Sequence, residues 1–182
     1  MEQFNENRAV GQLSEILALE SGYDRSKARQ IRNAAVLHDV GKEKIPESIL
    51  NKPGKLNEQE FEIIKTHTKL GVELLASLQG DLGDMARIIC LFHHEWHEPS
   101  MGGYWGISTH YLPDFISFVS ISDVFTSLVS ERVYKKSWPP EMAVEYLENQ
   151  ADRQFRRELV QLFLSLVRDD SRIKAIFGGR EG

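Results

Sequence analysis

The residues with the clearest chemical potential are four of the six histidines and two aspartates. They are His38, Asp39, His67, His93, His94 and Asp123. Most of them lie inside apolar segments, where a buried imidazole or carboxylate needs a polar partner. Neutral imidazoles and ionised carboxylates suit Mn, Fe and similar divalent ions, and two such ions about 3.5–4 Å apart can promote attack on phosphorus. The pattern therefore predicts a buried two-metal phosphohydrolase site.

Simpler interpretations compete for each residue taken alone. An isolated His-Asp pair such as His38-Asp39 is more often a hydrogen-bonded pair at a helix end, and only the company of the other four residues reverses that balance. His97 and His110 lie in or beside a glycine-rich stretch and are interpreted as solvated loop histidines. Cys90, the only cysteine, lies in an apolar run and is interpreted as a buried core thiol.

Size and composition set the class of protein. The chain has 182 residues, of which 41% are hydrophobic and 27% are charged, which is typical of a soluble globular protein. We expect one domain over residues 1–182, with its core at about 6–164, followed by a C-terminal helix and a frayed tail to 182. The net charge of −5 gives the protein no general attraction for polymeric nucleic acid.

The lengths of the apolar runs, the N-terminal stretch and the single cysteine bear on where the protein is located. Its apolar runs are shorter than the roughly 20 residues that a helix needs to cross a bilayer, and the N-terminal stretch does not have the layout of a secretion signal. A single cysteine cannot form a disulfide within one chain. We therefore expect a cytoplasmic protein without a membrane segment.

Apolar residues recur at three- and four-residue spacing along most of the chain, which predicts helices. The predicted helices carry Val10 to Leu17, Ile31 to Leu37 running directly into His38, Ile63 to Leu75, Met85 to Glu95, Phe115 to Val129, Ala143 to Leu147 and Leu159 to Val167. No segment shows the alternation of a half-buried strand. The predicted fold class is all-α, a helical bundle.

Polar residues and prolines mark where these helices begin and end. Asp24 or Ser26 can cap the second helix, and Asn57 followed by Glu60 has the spacing of a capping box. The stretch 99–113 begins and ends with proline and contains three glycines, which predicts a loop.

Six stretches of the chain together resemble the HD-GYP branch of the HD phosphohydrolases. They are Ala34–Lys42, Ile45–Leu56, Lys65–Gly71, His93-His94-Glu95, Ser122–Phe125 and Ser130–Lys136. These stretches occur in the family's order, and the resemblance extends over about residues 6–164. It implies a helical bundle of HD phosphohydrolase type that hydrolyses the bacterial messenger cyclic di-GMP, or a related cyclic dinucleotide, in signalling.

The resemblance also implies roles for particular residues. The implied metal ligands are His38, Asp39, His67, His93, His94 and Asp123, with Glu6 at a further ligand position. They would hold two or three divalent ions, with Fe or Mn expected. Asp39 and Lys42 are the implied catalytic residues, and Lys42, Arg132 and Lys135 are the implied substrate-binding residues. Apart from the resemblance, the aromatic residues Trp96, Tyr104 and Trp105 could form the wall of a base-stacking pocket, with Tyr104 as a substrate-binding residue, or could equally well pack together within the loop.

Three positions depart from the family pattern. Glu6 stands where many members carry a histidine on the first helix, and Thr126 replaces an acidic residue often found three positions after the conserved aspartate. The family's Gly-Tyr-Pro is Gly103-Tyr104-Trp105 here, and losing proline frees the φ angle of residue 105.

Two other functions stay open at this point. One is a nucleotide phosphomonoesterase within the HD superfamily, which the altered loop favours slightly. The other is a catalytically weak module that binds metal and nucleotide and signals through a protein partner docked on loop 96–106, where an exposed Trp105 would be a natural anchor.

Overall fold

The computed structural model describes residues 2–130 and 137–178, and within them it is entirely helical, without a β-strand. Its α-helices are Glu2–Glu20 (α1), Arg25–Ala35 (α2), Glu47–Leu50 (α3), Glu58–Lys65 (α4), His67–Leu74 (α5), Gly80–Phe92 (α6), Asp114–Val129 (α7), Pro140–Asn149 (α8), Arg157–Asp169 (α9) and Ser171–Gly178 (α10). Two 3₁₀ segments, Val40–Lys44 and Thr109–Tyr111, lie between them. The predicted all-α fold class is confirmed.

The core is built around α7, which is apolar on nearly every side and therefore buried along most of its length. Helix α1 packs against both α2 and α7, α6 packs against α2 and α5, and α8 packs against α7. The expected core residues Leu13, Ile31 and Ile89 are fully buried. None of the described helices has the length and apolar character needed to cross a bilayer.

Helix starts follow the predicted caps. The Asp24 carboxylate accepts a hydrogen bond from the Lys27 amide at 2.9 Å, so Asp24 rather than Ser26 caps α2. Asn57 and Glu60 form the predicted reciprocal box, each side chain accepting from the other residue's amide at 2.8 Å.

The second helix does not run into His38 as predicted. Helix α2 ends at Ala35, and the amides of Leu37 and His38 donate to carbonyls three residues back, at 3.0 and 3.1 Å. This tighter winding continues into the 3₁₀ segment Val40–Lys44. His38 and Asp39 therefore project from a turn and not from adjacent positions of an α-helix.

Other boundaries also differ from the sequence interpretation. The helix predicted through His67 is divided at Thr66, whose hydroxyl donates to the Ile63 carbonyl at 2.6 Å, so that His67 begins α5. Helix α6 begins at Gly80, five residues before the predicted start at Met85. At the C-terminal end, α10 is a separate short helix that follows α9.

Gly41 allows the 3₁₀ segment to lie directly on α5. A Cβ atom at this position would stand 1.9 Å from the His67 carbonyl oxygen and 2.5 Å from the Gly71 amide nitrogen. Only a residue without a side chain fits such a close backbone contact. The contact brings the His38–Asp39 turn next to the start of α5.

Candidate metal centre

The six predicted core ligands come from four separate parts of the bundle. His38 and Asp39 lie in the turn after α2, and His67 is the first residue of α5. His93 caps the C-terminus of α6 and His94 follows it, while Asp123 lies in the second half of α7. Helix packing therefore decides whether these side chains meet.

Asp39 lies at the centre of the cluster. Its Oδ1 atom is 3.3 Å from His67 Nε2 and 3.7 Å from His93 Nε2. Its Oδ2 atom is 3.3 Å from His38 Nε2, which is itself 3.6 Å from Asp123 Oδ1. The two oxygens of one carboxylate thus face two different sets of imidazoles.

Three imidazole rings are oriented by the backbone of their own segments. Nδ1 of His38 lies 2.8 Å from the Ala35 carbonyl, Nδ1 of His67 lies 2.7 Å from the Ile64 carbonyl, and Nδ1 of His93 lies 3.0 Å from the Ile89 carbonyl. A ring that donates from Nδ1 presents the lone pair of Nε2. Each ring therefore aims an acceptor nitrogen at the centre.

The same three Nε2 atoms are buried and make no hydrogen bond within the described residues. Leaving a buried polar atom unsatisfied is costly, and several of them around one carboxylate are rare in a folded protein. A divalent cation would satisfy all three nitrogens at once. The donor set, its burial and its ring orientation thus fit metal ions.

Two overlapping ligand groups can be distinguished by distance. In the first, one donor atom each from Asp39, His67, His93 and His94 lies within 4.8 Å of the others; in the second, His38, His93 and Asp123 meet the same limit. An imidazole nitrogen binds one ion at a time, whereas a carboxylate can bridge two. Asp39, whose oxygens face both groups, is placed to bridge.

The electrostatics of the cluster favour the ligand forms of most groups. Burial lowers the pKa of His94 to about 3 and holds that of His93 well below its usual range, so both rings are neutral. Burial alone would raise the pKa of Asp39, but Lys42 and His38 hold it well below its ordinary value.

His38 behaves differently from its neighbours. Burial acts to lower its pKa, yet the carboxylates of Asp39 and Asp123 outweigh burial and raise the pKa to about 10. The two carboxylates thus favour a positive charge at this position. A proton on His38 supplies that charge, and so would a bound cation.

Lys42 and Tyr104 lie at the edge of the cluster. The Lys42 ammonium is 2.5 Å from Asp39 Oδ2 and remains partly exposed. The Tyr104 ring lies 4.4 Å from the His94 ring and 6.1 Å from the His67 ring, measured between centroids. Both predicted substrate-binding side chains thus border the candidate ligands.

Glu95 is the residue near the site to which the sequence analysis gave no role. It directly follows the histidine doublet, is 1% exposed, and accepts hydrogen bonds from the amides of Tyr104, Trp105 and Ile107 at 3.0, 2.8 and 2.8 Å. The signal available in the sequence was an acidic residue directly after His93-His94. Its partners could not be read from the sequence, because they lie across a loop.

The remaining predicted positions are placed differently or fall outside the described residues. Glu6 is buried in α1 at 5% exposure but belongs to neither ligand group, so its role stays a prediction. Arg132 and Lys135 lie outside the described residues. Trp105 is half-buried, so the exposed anchor expected for a partner is not there.

His97 and His110 stay apart from both ligand groups, as expected. Their rings lie 6.5 Å from each other. Cys90 is buried, as predicted, and its thiol donates to the Leu37 carbonyl at 3.1 Å.

Comparison with known proteins finds similarity to the HD domain family and to proteins named as cyclic dinucleotide phosphodiesterases. A sequence profile of the HD domain family matches residues 2–159. The chain is 37% identical to the cyclic di-GMP phosphodiesterase response regulator RpfG of Xanthomonas campestris pv. campestris over 90% of its own length and 42% of that protein. It is 41% identical to the 3'3'-cGAMP-specific phosphodiesterase 2 of Vibrio cholerae over 82% of its length and 28% of that protein. The chain thus spans less than half of either relative.

Solved structures agree on the fold. An HD-GYP-type protein from Bdellovibrio bacteriovorus, Bd1817, superposes with a TM-score of 0.71 at 17% identity, covering 90% of this chain and 52% of that one. The HD domain of the L. monocytogenes phosphodiesterase PgpH gives a TM-score of 0.64 at 18% identity, covering 98% of this chain and 92% of that one. At these identities the likeness concerns the fold alone.

Proposed function

The chain belongs to the HD domain family, and we propose that it is a metal-dependent phosphodiesterase acting on cyclic di-GMP or a related cyclic dinucleotide. One observation carries the proposal: buried Nε2 atoms of His38, His67 and His93 converge on the two oxygens of Asp39. The names of its relatives, which include cyclic di-GMP and 3'3'-cGAMP phosphodiesterases, support the substrate class.

We propose two bridged divalent ions, with Fe or Mn as the metals that suit mixed imidazole and carboxylate ligands. His67, His93 and His94 would hold one ion, His38 and Asp123 would hold the other, and Asp39 would bind both. A third ion near Glu6 is an extension of the same proposal. Ions bound here would supply Lewis-acid polarisation of the phosphate and would lower the pKa of a water molecule.

The chain's own groups would orient the substrate around that centre. Lys42 places an ammonium beside Asp39, where it would attract the scissile phosphate and balance charge developing on its oxygens. Tyr104 provides an aromatic wall next to His94, against which a purine base or ribose could pack. Arg132 and Lys135 would place positive charge around the bound substrate, as the resemblance implies. A cytoplasmic site of action remains part of the proposal.

A direct assay tests this function. The protein is loaded anaerobically with Mn²⁺ or Fe²⁺ and incubated with cyclic di-GMP and, separately, 3'3'-cGAMP, and the products are separated by chromatography. Cleavage of at least one substrate, lost in His38→Ala, is the expected outcome. The proposal fails if neither is cleaved or if His38→Ala is equally active.

The same preparation separates the alternative functions. Release of phosphate from nucleoside monophosphates, without cleavage of cyclic dinucleotides, would indicate a phosphomonoesterase. Tight nucleotide binding without product would indicate a binding module. For a protein partner on loop 96–106, Met101 offers a large apolar side chain that is 53% exposed, whereas Trp105 is half-buried.

A further inference from the structure

The segment from Gly103 to Ile107 turns around one buried carboxylate. Glu95 Oε1 accepts the amides of Tyr104 and Trp105, and Oε2 accepts the amide of Ile107. We propose that Glu95 is a positioning residue, which fixes the Tyr104 ring beside His94 and thereby sets how tightly substrate binds. This inference rests on the proposed function for its substrate but not for its geometry.

One of the three amides exists because of the chain's departure from its family. Proline has no N–H, so a Gly-Tyr-Pro segment could not offer a donor at residue 105. Here the Trp105 amide donates to Glu95 at 2.8 Å. The stiffness that proline would give this turn is thus replaced by a charge-assisted hydrogen bond, which is stronger than a neutral one.

Two further contacts hold the same segment. Gly103 has a φ of +95°, and a Cβ there would stand 3.3 Å from Glu95 Oε2, so the chain passes the carboxylate in a conformation that favours glycine. On the outer side, the Lys69 ammonium lies 3.8 Å from the centre of the Trp105 ring, a cation–π contact. The segment is held from within by Glu95 and from outside by α5.

Glu95 acts on the site through Tyr104. Both of its oxygens accept loop amides, and neither ligand group includes it, although it follows His94 directly. Loosening the segment would therefore move the aromatic wall and leave the candidate ligands in place. Such a change weakens substrate binding more than it slows the chemical step.

The test is a double-mutant cycle on steady-state kinetics with a cyclic dinucleotide. Glu95→Gln keeps the shape, but its amide NH₂ group cannot accept, so at least one loop amide loses its partner. We expect the KM to rise by up to about tenfold, because binding would have to reorder the loosened segment at a cost of no more than roughly one hydrogen bond to a charged group, with kcat changed much less. In a Tyr104→Ala background the same substitution should leave KM nearly unchanged, because the residue it positions is absent.

Two controls distinguish positioning from general damage. Asp24→Asn is the matched variant, because Asp24 is an exposed carboxylate that also accepts a backbone amide, from Lys27 at the start of α2, the end of that helix farther from His38. It should leave KM within about twofold, the range expected of a substitution outside the site. Metal content after loading should equal that of the wild type in Glu95→Gln. Equal KM ratios in both Tyr104 backgrounds, or loss of metal in Glu95→Gln, would overturn the proposal.

Hydrogen exchange gives a readout that needs no activity. In Glu95→Gln the amides of Tyr104, Trp105 and Ile107 should exchange faster, while the Thr109 amide, bonded to the Trp96 carbonyl at 3.0 Å, should stay protected. Trp105→Pro is the second variant, because it leaves Glu95 intact while it removes one donor, together with the ring that contacts Lys69. It should speed exchange at Tyr104 and Ile107 to a smaller degree.

The two proposals can fail separately. If the wild type cleaves no cyclic dinucleotide, the proposed function fails and exchange alone decides the role of Glu95. Unchanged exchange at Tyr104 and Ile107 in Glu95→Gln would overturn the positioning role, whether or not the protein is active.

Discussion

The candidate metal centre and the 103–107 segment lie side by side but are built in different ways. In the centre, each ligand comes from a packed helix or a turn, and His38, His67 and His93 are also oriented by a carbonyl of their own segment. In the segment, the peptide amides of three residues converge on the single side chain of Glu95. The candidate ligands are thus supported by the packing of the whole bundle, whereas the 103–107 segment is held by one carboxylate and by the cation–π contact of Lys69 with Trp105.

This difference predicts distinct behaviour on mutation. A change in the centre should affect metal binding, activity and stability together, because the same packing supports all three. A change in the segment should affect substrate affinity more than kcat and should leave metal binding unchanged. The predictions below test this division, beginning with the largest expected effect.

Asp39→Asn should nearly abolish activity. It removes the negative charge that faces both ligand groups, and activity with cyclic di-GMP should fall by more than about 100-fold, since residues that only orient metal ligands are already worth about 10–100-fold. Asp84→Asn, which alters an exposed acid ion-paired with Arg87, is the matched control and should retain activity. Residual activity in Asp39→Asn within a few-fold of wild type would refute the bridging role.

Gly41→Ala should lower both the stability of the fold and the metal content of the candidate centre. The added Cβ would meet the His67 carbonyl oxygen at 1.9 Å, and backbone atoms on both sides must move apart. Overpacking of this kind costs about 3 kcal/mol, or roughly 6–12 °C in Tm for a chain of this size. Thermal unfolding and metal content measure the two effects.

Gly54→Ala is the control for the Gly41 variant. Gly54 has a φ of +111° but no atom within 4 Å of the added Cβ, so its cost comes only from backbone strain of about 1 kcal/mol. Equal losses of Tm in the two variants would show that the close approach of the 3₁₀ segment to α5 is not important for stability.

Lys69→Gln should have a small effect confined to the segment. It removes the ammonium above the Trp105 ring, and an exposed cation–π contact is worth about 0.5–1 kcal/mol, which corresponds to roughly two- to fivefold in KM. Lys174→Gln, on α10, is the control and should leave KM unchanged. A change in kcat as large as that in KM would argue against the division between the two regions.

Cys90 reports on the rigidity of the centre without any substitution. Burial, assisted by Asp39, raises the pKa of this thiol to about 12, so below that pH it stays in the neutral form, which is a poor nucleophile. At pH 8 a thiol reagent should label the unfolded protein quickly and the folded protein only as it opens. Rapid labelling of the folded protein would show that the packing of α6 around Cys90 is mobile.

The convergence of the six candidate ligands could be predicted from sequence because these residues carry rare chemistry within a periodic pattern. Imidazoles and carboxylates inside apolar helices need partners, and helix periodicity is visible in a single chain. The end of α2 at Ala35 and the break at Thr66 were missed, because neither Gly nor Pro marks these points.

The support of the 103–107 segment could not be predicted in the same way. Its hydrogen bonds join Glu95 to backbone amides, which every residue except proline carries, so no side-chain type signals them. The contact of Lys69 with Trp105 joins α5 to a distant loop and depends on how the loop folds back. The sequence showed the lost proline but not what took its place.

Metal stoichiometry tests the central claim most directly. Wild-type protein and Asp39→Asn are loaded anaerobically with Mn²⁺, desalted, and analysed for bound metal per chain. Convergence of the imidazoles on Asp39 predicts two ions in the wild type and fewer than one in the variant. No retained metal in the wild type, or the same content in both proteins, would contradict it.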